Sequence, residues 1–286
     1  MKPQIPNPKN QQKPNIALVY DADYTLMNGY HPTLILESRG YAPEEIQAFW
    51  QDVITRQKTA EQEGDNVSLD GIYVSKFMDE VRHGKLKGLS IDEIRQTGKN
   101  IANILFPGIP GFFRRVRQQN PNSNISHNIV SVGMRPMLQG CPELNENMDR
   151  IYGYSFYDDF RAGRQIDELK GSLSSREKIP AIVKISRGNF KEWYQYPIKD
   201  MIYFGDGQTD VPAFIFVTDE GHDGTAVCLY RSEETRQQAE KIKQRIMRDA
   251  EKKGKSRPNM HVLPVDYKKG GVIERFVYDH CKRREA

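Results

Sequence analysis

The strongest constraint on this chain is an apolar run that ends abruptly in acid. Ile16-Ala17-Leu18-Val19-Tyr20 is followed at once by Asp21-Ala22-Asp23-Tyr24-Thr25. A short, unbroken apolar run of this kind predicts a buried parallel strand whose C-terminal end opens onto a site. Similar runs follow at Ile125–Val132, Met201–Phe204, Thr225–Tyr230 and His261–Val265, with Ile151–Tyr157 a further candidate. Helix start signals lie between them. Ser174-x-x-Glu177 is a capping box that opens a helix through about Ile185. Ser232, followed by Glu233 and Glu234, opens a long charged helix toward Lys252. Strands alternating with helices predict an α/β fold built on a doubly wound parallel sheet.

The stretch from Leu26 to Asn124 breaks that alternation and reads as helix throughout. Pro43, Glu44 and Glu45 have the character of a first helical turn with proline at its first position. Ser90-x-x-Glu93 is a second capping box, and Ile72, Phe77 and Val81 are spaced as a helix face. So much helix between two strands exceeds a simple crossover and predicts an inserted α-helical cap domain. The expected organisation is a loose tail over 1–14, an α/β core from 15–27 and 125–286, and a cap over 28–124.

Composition narrows the function. The 42 Lys and Arg are interleaved with 38 Asp and Glu, so a net charge of +4 gives no basic face for nucleic acid. No run approaches the ~18 apolar residues of a membrane span. The first residues, Pro-, Asn- and Gln-rich, lack the apolar centre of a secretory signal. Cys141, Cys228 and Cys281 are far apart and without metal spacing. A cytoplasmic protein with reduced thiols and neither nucleic-acid nor membrane partners is expected. No GxxxxGK[ST] is present, which excludes a P-loop.

In an open parallel sheet, ligands bind beyond the carboxyl ends of the strands. The first run delivers Asp21, Asp23 and Thr25 there; the run at 201 delivers Gly205-Asp206-Gly207-Gln208-Thr209-Asp210. Adjacent strands lie ~4.8 Å apart, so these groups converge if the two strands are neighbours. Two like charges ~4 Å apart repel by about 4 kcal/mol at an effective dielectric near 20, enough to protonate one of them. Several carboxylates together therefore call for a cation, and an all-oxygen set suits Mg²⁺. Ser131 ends another strand, where Gly133 is expected to let a phosphate approach the backbone. Lys178 lies in the first turns of the helix opened by Ser174. Each of these residues alone has an ordinary reading as a cap, turn or surface group. Two acidic motifs in order on predicted strands do not.

In these stretches the chain resembles the haloacid dehalogenase-like hydrolase superfamily. Its D-x-D-x-[TV] motif matches Asp21 to Thr25, and its strand-ending Ser or Thr matches Ser131. Its helix-start lysine best matches Lys178, with Lys184 as the competitor, and its G-D-x-x-x-D matches Gly205, Asp206 and Asp210. Tyr24 stands where many members have Gly, and Val132 where a second Ser or Thr is frequent. The resemblance implies a Rossmann-like core and a phosphoserine-phosphatase-like branch, with a helical cap between the first and second motifs. It also implies an Mg²⁺-dependent hydrolase acting on a phosphate monoester of a small metabolite. On that pattern Asp21 is the nucleophile, and Asp23 protonates the leaving oxygen and then activates water. The metal is held by the Asp21 and Asp206 carboxylates and the Asp23 main-chain carbonyl, with Asp210 behind them or acting through water. Thr25, Ser131 and Lys178 hold the phosphoryl oxygens. The second aspartate favours phosphoryl chemistry over dehalogenation. The cap is expected to close as a lid, with Glu37, Arg39, Trp50, Arg56 or Lys58 available to select the substrate. The same motifs serve a phosphotransferase that passes the phosphoryl group to an alcohol, or a silent member that only binds a phosphorylated ligand.

Overall fold

In the computed structural model the first apolar run is strand β1 (Asn15–Tyr20), in which Ile16 through Tyr20 are fully buried. The structure describes residues 13–63, 69–159, 165–170, 176, 178–187 and 196–285. The expected tail at 1–14 falls almost wholly outside them, as do Ser174 and Glu177 of the first capping box.

After β1 come helices α1 (Thr33–Ser38), α2 (Pro43–Glu63), α3 (Leu69–His83), α4 (Ile91–Gly98) and α5 (Ile109–Gln119), then strand β2 (Asn124–Met134). The chain continues through α6 (Arg135–Gly140), α7 (Pro142–Asn145), β3 (Arg150–Asp159) and β4 (Gln165–Lys170). It ends with α8 (Lys178–Arg187), β5 (Met201–Gly205), α9 (Val211–Thr218), β6 (Thr225–Tyr230), α10 (Glu233–Lys252), β7 (Met260–Pro264) and α11 (Val272–Glu285). The strands form one sheet in the order β4-β3-β2-β1-β5-β6-β7, parallel throughout except for β4, which pairs antiparallel with β3.

Strand geometry sends alternate side chains of β1 to opposite faces. Ile16, Leu18 and Tyr20 pack into a core with Phe112, Phe113 and Val116 of α5 and Ile273 and Val277 of α11. Ala17 and Val19 pack with Ile182 and Ile185 of α8, Phe214 of α9 and Ile242 of α10. Helices thus cover both faces, which is why β1 is apolar from Ile16 to Tyr20. Each buried Ile, Leu, Val or Phe among them contributes ~1.5–3 kcal/mol on burial. The doubly wound α/β architecture is as the alternation predicts.

Local signals are realised where they can be seen. Ser90 and Glu93 form a reciprocal capping box at α4. Ser232 caps α10, with Thr235 as its partner, while Glu233 and Glu234 occupy the first turn. Edge strand β4 escaped prediction because Gln165-Ile166-Asp167-Glu168-Leu169-Lys170 is too polar to read as a parallel strand. In the long insertion, α1 packs on α2 and α4, α2 on α3, α3 on β4, and α4 on α6. Helix α5 instead packs on β2 and α11, so the chain rejoins the helix layer of the sheet before residue 124. No helix among the described residues is long and apolar enough to cross a membrane.

Candidate active site

Strands β1 and β5 are parallel neighbours in the sheet centre, with Tyr20 opposite Phe204. The ladder runs one residue further, since Asp21 N donates to Phe204 O at 2.8 Å. This fixes Asp21 beside the Gly205-Asp206 turn. The carboxylates of Asp21, Asp206 and Asp210 each place an oxygen within 4.8 Å of the others. Both acidic motifs therefore converge on one point.

Lys178, fully buried at the first residue of α8, lies among them. Its Nζ donates to Asp21 Oδ1 at 3.0 Å and to Asp210 Oδ1 at 2.7 Å. Burial alone would push this ammonium toward neutrality, but Asp21 and Asp210 outweigh it and hold the pKa well above the ordinary lysine value. Lys184 is exposed on the last turn of α8, away from these groups.

Asp210 is buried and saturated. Besides Lys178, its Oδ1 accepts from Tyr203 Oη at 2.7 Å, while Oδ2 accepts from the backbone N–H of Asp206 at 3.0 Å and of Gly207 at 3.2 Å. It thus ties α8, β5 and the turn after β5 into one unit. Gly205 makes this possible, because a Cβ there would lie 2.3 Å from the Asp210 carboxyl carbon. Burial raises the Asp21 carboxyl to about 7, with Lys178 opposing the shift and Asp210 and Asp23 adding to it. Asp206 is raised as well, by burial first and then by Asp210 and Asp21, with Arg231 opposing. One ammonium does not balance three clustered carboxylates. A hard divalent cation fits this donor set and its excess charge.

The side chain of Asp23 stands apart from that cluster. Its Oδ1 accepts from the His31 backbone N–H at 2.8 Å and meets His31 Nδ1 at 2.8 Å. His31 is fully buried, and its Nε2 accepts from Met134 N at 3.0 Å. That contact places the ring proton on Nδ1, where it donates to Asp23. The carboxyl is thereby held at the end of a backbone-anchored chain running from β2. The space over Gly133, which the sequence reading gave to phosphate, holds this imidazole instead. A Cβ at Gly133 would lie 1.9 Å from His31 Cε1. Gly133→Ala is expected to displace the ring and cost ~1–3 kcal/mol through overpacking, measured as a fall in the denaturation midpoint. An unchanged midpoint would mean that the ring relocates freely.

Thr25 is buried, and its hydroxyl has no hydrogen-bond partner among the described residues. Ser131, also buried, has its Oγ fixed by the Gly133 N–H at 3.0 Å, which leaves its proton to donate elsewhere. Tyr24 adopts a left-handed backbone (φ 55°), the conformation glycine takes most easily, at the position where family members often carry Gly. Its ring is clamped from two sides. The Arg231 guanidinium sits 3.8 Å from the centroid, and Tyr30 meets it edge-on at 4.8 Å. Arg231 Nη2 is also 4.0 Å from Asp206 Oδ2.

His31, Tyr203 and Arg231 had no motif signal. Each reaches the site only through tertiary contact, His31 from a segment assigned to the cap and Arg231 from the end of β6. Of the proposed selectivity residues, Trp50 lines a cavity at Asp23. Arg39 pairs with Glu93 at 3.2 Å, and Arg56 with Asp52 at 3.1 Å.

No family model matches the sequence. An uncharacterised protein of Borreliella burgdorferi is 27% identical over 233 residues, covering 72% of this chain and 79% of its own length. A HAD family hydrolase from Salmonella enterica serovar Typhi superposes with a TM-score of 0.52 at 15% identity over 77% of this chain. The chain spans 64% of the length of that Salmonella protein. A substrate-bound phosphoserine phosphatase superposes with a TM-score of 0.51 at 15% identity, covering 79% of this chain and 91% of that one. Cytosolic 5'-nucleotidase IIIB bound to cytidine gives a TM-score of 0.50 at 14% identity, covering 96% of this chain and 87% of that one. With a Rossmann-like parallel sheet and these structural neighbours, the chain has the fold of the haloacid dehalogenase-like hydrolases.

Proposed function

We propose that the protein is an Mg²⁺-dependent phosphatase that hydrolyses a small phosphate monoester through an aspartyl-phosphate intermediate. The observation that carries this reading is Lys178 wedged between Asp21 and Asp210 at the ends of β1 and β5, with Asp206 in reach. A single buried cation serving a nucleophilic carboxylate and its neighbour suits the handling of a doubly charged phosphoryl group.

Asp21 attacks phosphorus, and the bond from phosphorus to the ester oxygen breaks. Asp23 gives that oxygen its proton, so the alcohol leaves neutral. Asp23 then takes a proton from water, whose oxygen attacks phosphorus; the bond to Asp21 breaks and inorganic phosphate leaves. His31 acts through Asp23 as a positioning residue, since its two donors hold Oδ1 and leave Oδ2 for proton transfer. Thr25, Ser131 and Lys178 supply donors to the phosphoryl oxygens. Asp21, Asp206 and the Asp23 carbonyl would hold the metal, and Asp210 would orient Lys178 and the turn around it. When bound, Mg²⁺ supplies electrostatic stabilisation of the transferring group. In this reading helices α1–α4 form the cap.

Turnover of a chromogenic phosphate ester with Mg²⁺, and its loss with EDTA, is the expected result. No turnover with Mg²⁺ would leave a ligand-binding protein instead. Recovery of a phosphorylated alcohol when acceptor alcohols are added would make it a phosphotransferase.

Metal binding also has a pH signature. The Asp21 carboxyl is raised from 3.8 to about 7 in the folded chain. A raised carboxyl favours the metal-free fold while it is protonated, and that stability is lost as pH rises across this window. Asp21 would have to give up that proton to hold Mg²⁺. The rise in Tm on adding Mg²⁺ is therefore expected to be larger near pH 8 than near pH 5. Equal shifts at both would remove Asp21 from the metal site.

A further inference from the structure

We propose that the alcohol released from the substrate is uncharged and apolar, a single ring or short branched alkyl group seated between Asp23, α2 and α3. This rests on the phosphatase reading, since it takes Asp23 as the group that faces the leaving oxygen.

Asp23 lies on the wall of a cavity of about 90 Å³. Asp70 is the other charged group among the described lining residues, and most of the remaining side chains are apolar or aromatic. Tyr30 and Trp50 stack with centroids 5.0 Å apart, and Trp50 stacks on Tyr73 at 5.3 Å. Val53, Ile54 and Leu69 add aliphatic surface. The polar atoms of the two inner rings are engaged within the protein. Trp50 Nε1 donates to Thr33 Oγ1 at 3.1 Å, and the Tyr73 and Tyr154 hydroxyls bond to each other at 2.6 Å. Trp50 and Tyr73 therefore present ring carbon, and a hydroxyl-rich leaving group lying over them would lose its water without replacement.

Charge points the same way. Among the described residues lining the cavity, the charged groups are the carboxylates Asp23 and Asp70, and there is no Lys, Arg or His. A carboxylate or second phosphate on the leaving group would lose its hydration against this wall and find no cation among the described lining residues. Size sets the upper limit. A closed cavity of about 150 Å³ admits benzene, so this smaller but partly open one is matched to no more than a single ring.

The test compares phenyl phosphate with 4-carboxyphenyl phosphate, using acetyl phosphate to read hydrolysis when the leaving group is too small to fill the cavity. Phenyl phosphate is expected to have at least tenfold higher kcat/KM than the carboxylated ester. Ile54, 41% exposed on α2, offers a substitution tolerated by the fold. Ile54→Lys adds the missing cation at the wall and is expected to lower that preference at least tenfold. Equal use of both aryl esters, or a preference unmoved by Ile54→Lys, overturns the proposal while leaving the phosphatase reading intact. So does hydrolysis of acetyl phosphate with neither aryl ester accepted. Absence of turnover with all three removes the phosphatase reading, and this inference with it.

Discussion

Replacing Asp21 with Asn is expected to lower turnover by at least about 10⁴-fold, on the scale seen when a covalent nucleophile is removed. The amide keeps the shape of the side chain but cannot form the acyl phosphate that the proposed reaction requires. The fold should survive. Asp21 is a buried carboxyl whose charged form is disfavoured chiefly by burial, so removing its charge takes a strained group out of the native state. Lys178 keeps Asp210 as its partner at 2.7 Å. Phosphate release and thermal denaturation of the two proteins measure the effects separately. Turnover near the original level in Asp21→Asn would end the nucleophile assignment, whatever the stability.

Lys178→Met carries the second large effect, and it acts on stability as well as rate. Methionine fills similar space without charge, leaving the Asp21 and Asp210 carboxylates buried together with no cation between them. Removing one partner from a buried ionic group costs ~3–5 kcal/mol. In the metal-free protein that is expected as a fall in the denaturation midpoint. Asp21 and Asp210 hold the ammonium charged well past the usual range, so this stabilisation persists across neutral pH and is lost only far into the alkaline range. Turnover is expected to fall by about 10²–10³-fold, the usual loss for one preorganised donor to a transition state. Lys184→Met serves as the internal comparison. Lys184 is exposed, and its replacement should shift stability by less than ~0.5 kcal/mol and leave turnover unchanged. The opposite pattern would move the lysine role from the first turn of α8 to its last.

Much of the site was legible because its anchors follow directly from strand ends. An apolar run that stops at Asp21, and another that stops at Gly205, announce where a parallel sheet presents side chains to a ligand. What could not be read was how the side chains divide the work. The sequence favours Lys178 over Lys184 but leaves the latter a competitor, since both sit on one helix at a workable distance before Asp206. Only the packing of α8 buries one and exposes the other. Gly133 illustrates the converse error. A glycine after a strand suggested room for phosphate, whereas the room is taken by His31, from the segment that follows the first motif.

The residues alone determined the doubly wound α/β architecture and the two acidic strand ends, because burial periodicity and turn chemistry are local properties. They also determined that those acids need a counter-charge if they meet. The tertiary structure decided that they do meet, through the β1–β5 register. It also decided that Asp23 turns to His31 while Asp21 turns to Lys178, and that the wall beside Asp23 is aromatic and without a cation among the described residues. These are distances between groups far apart in the chain. They depend on which surfaces pack together, which no single stretch of sequence encodes.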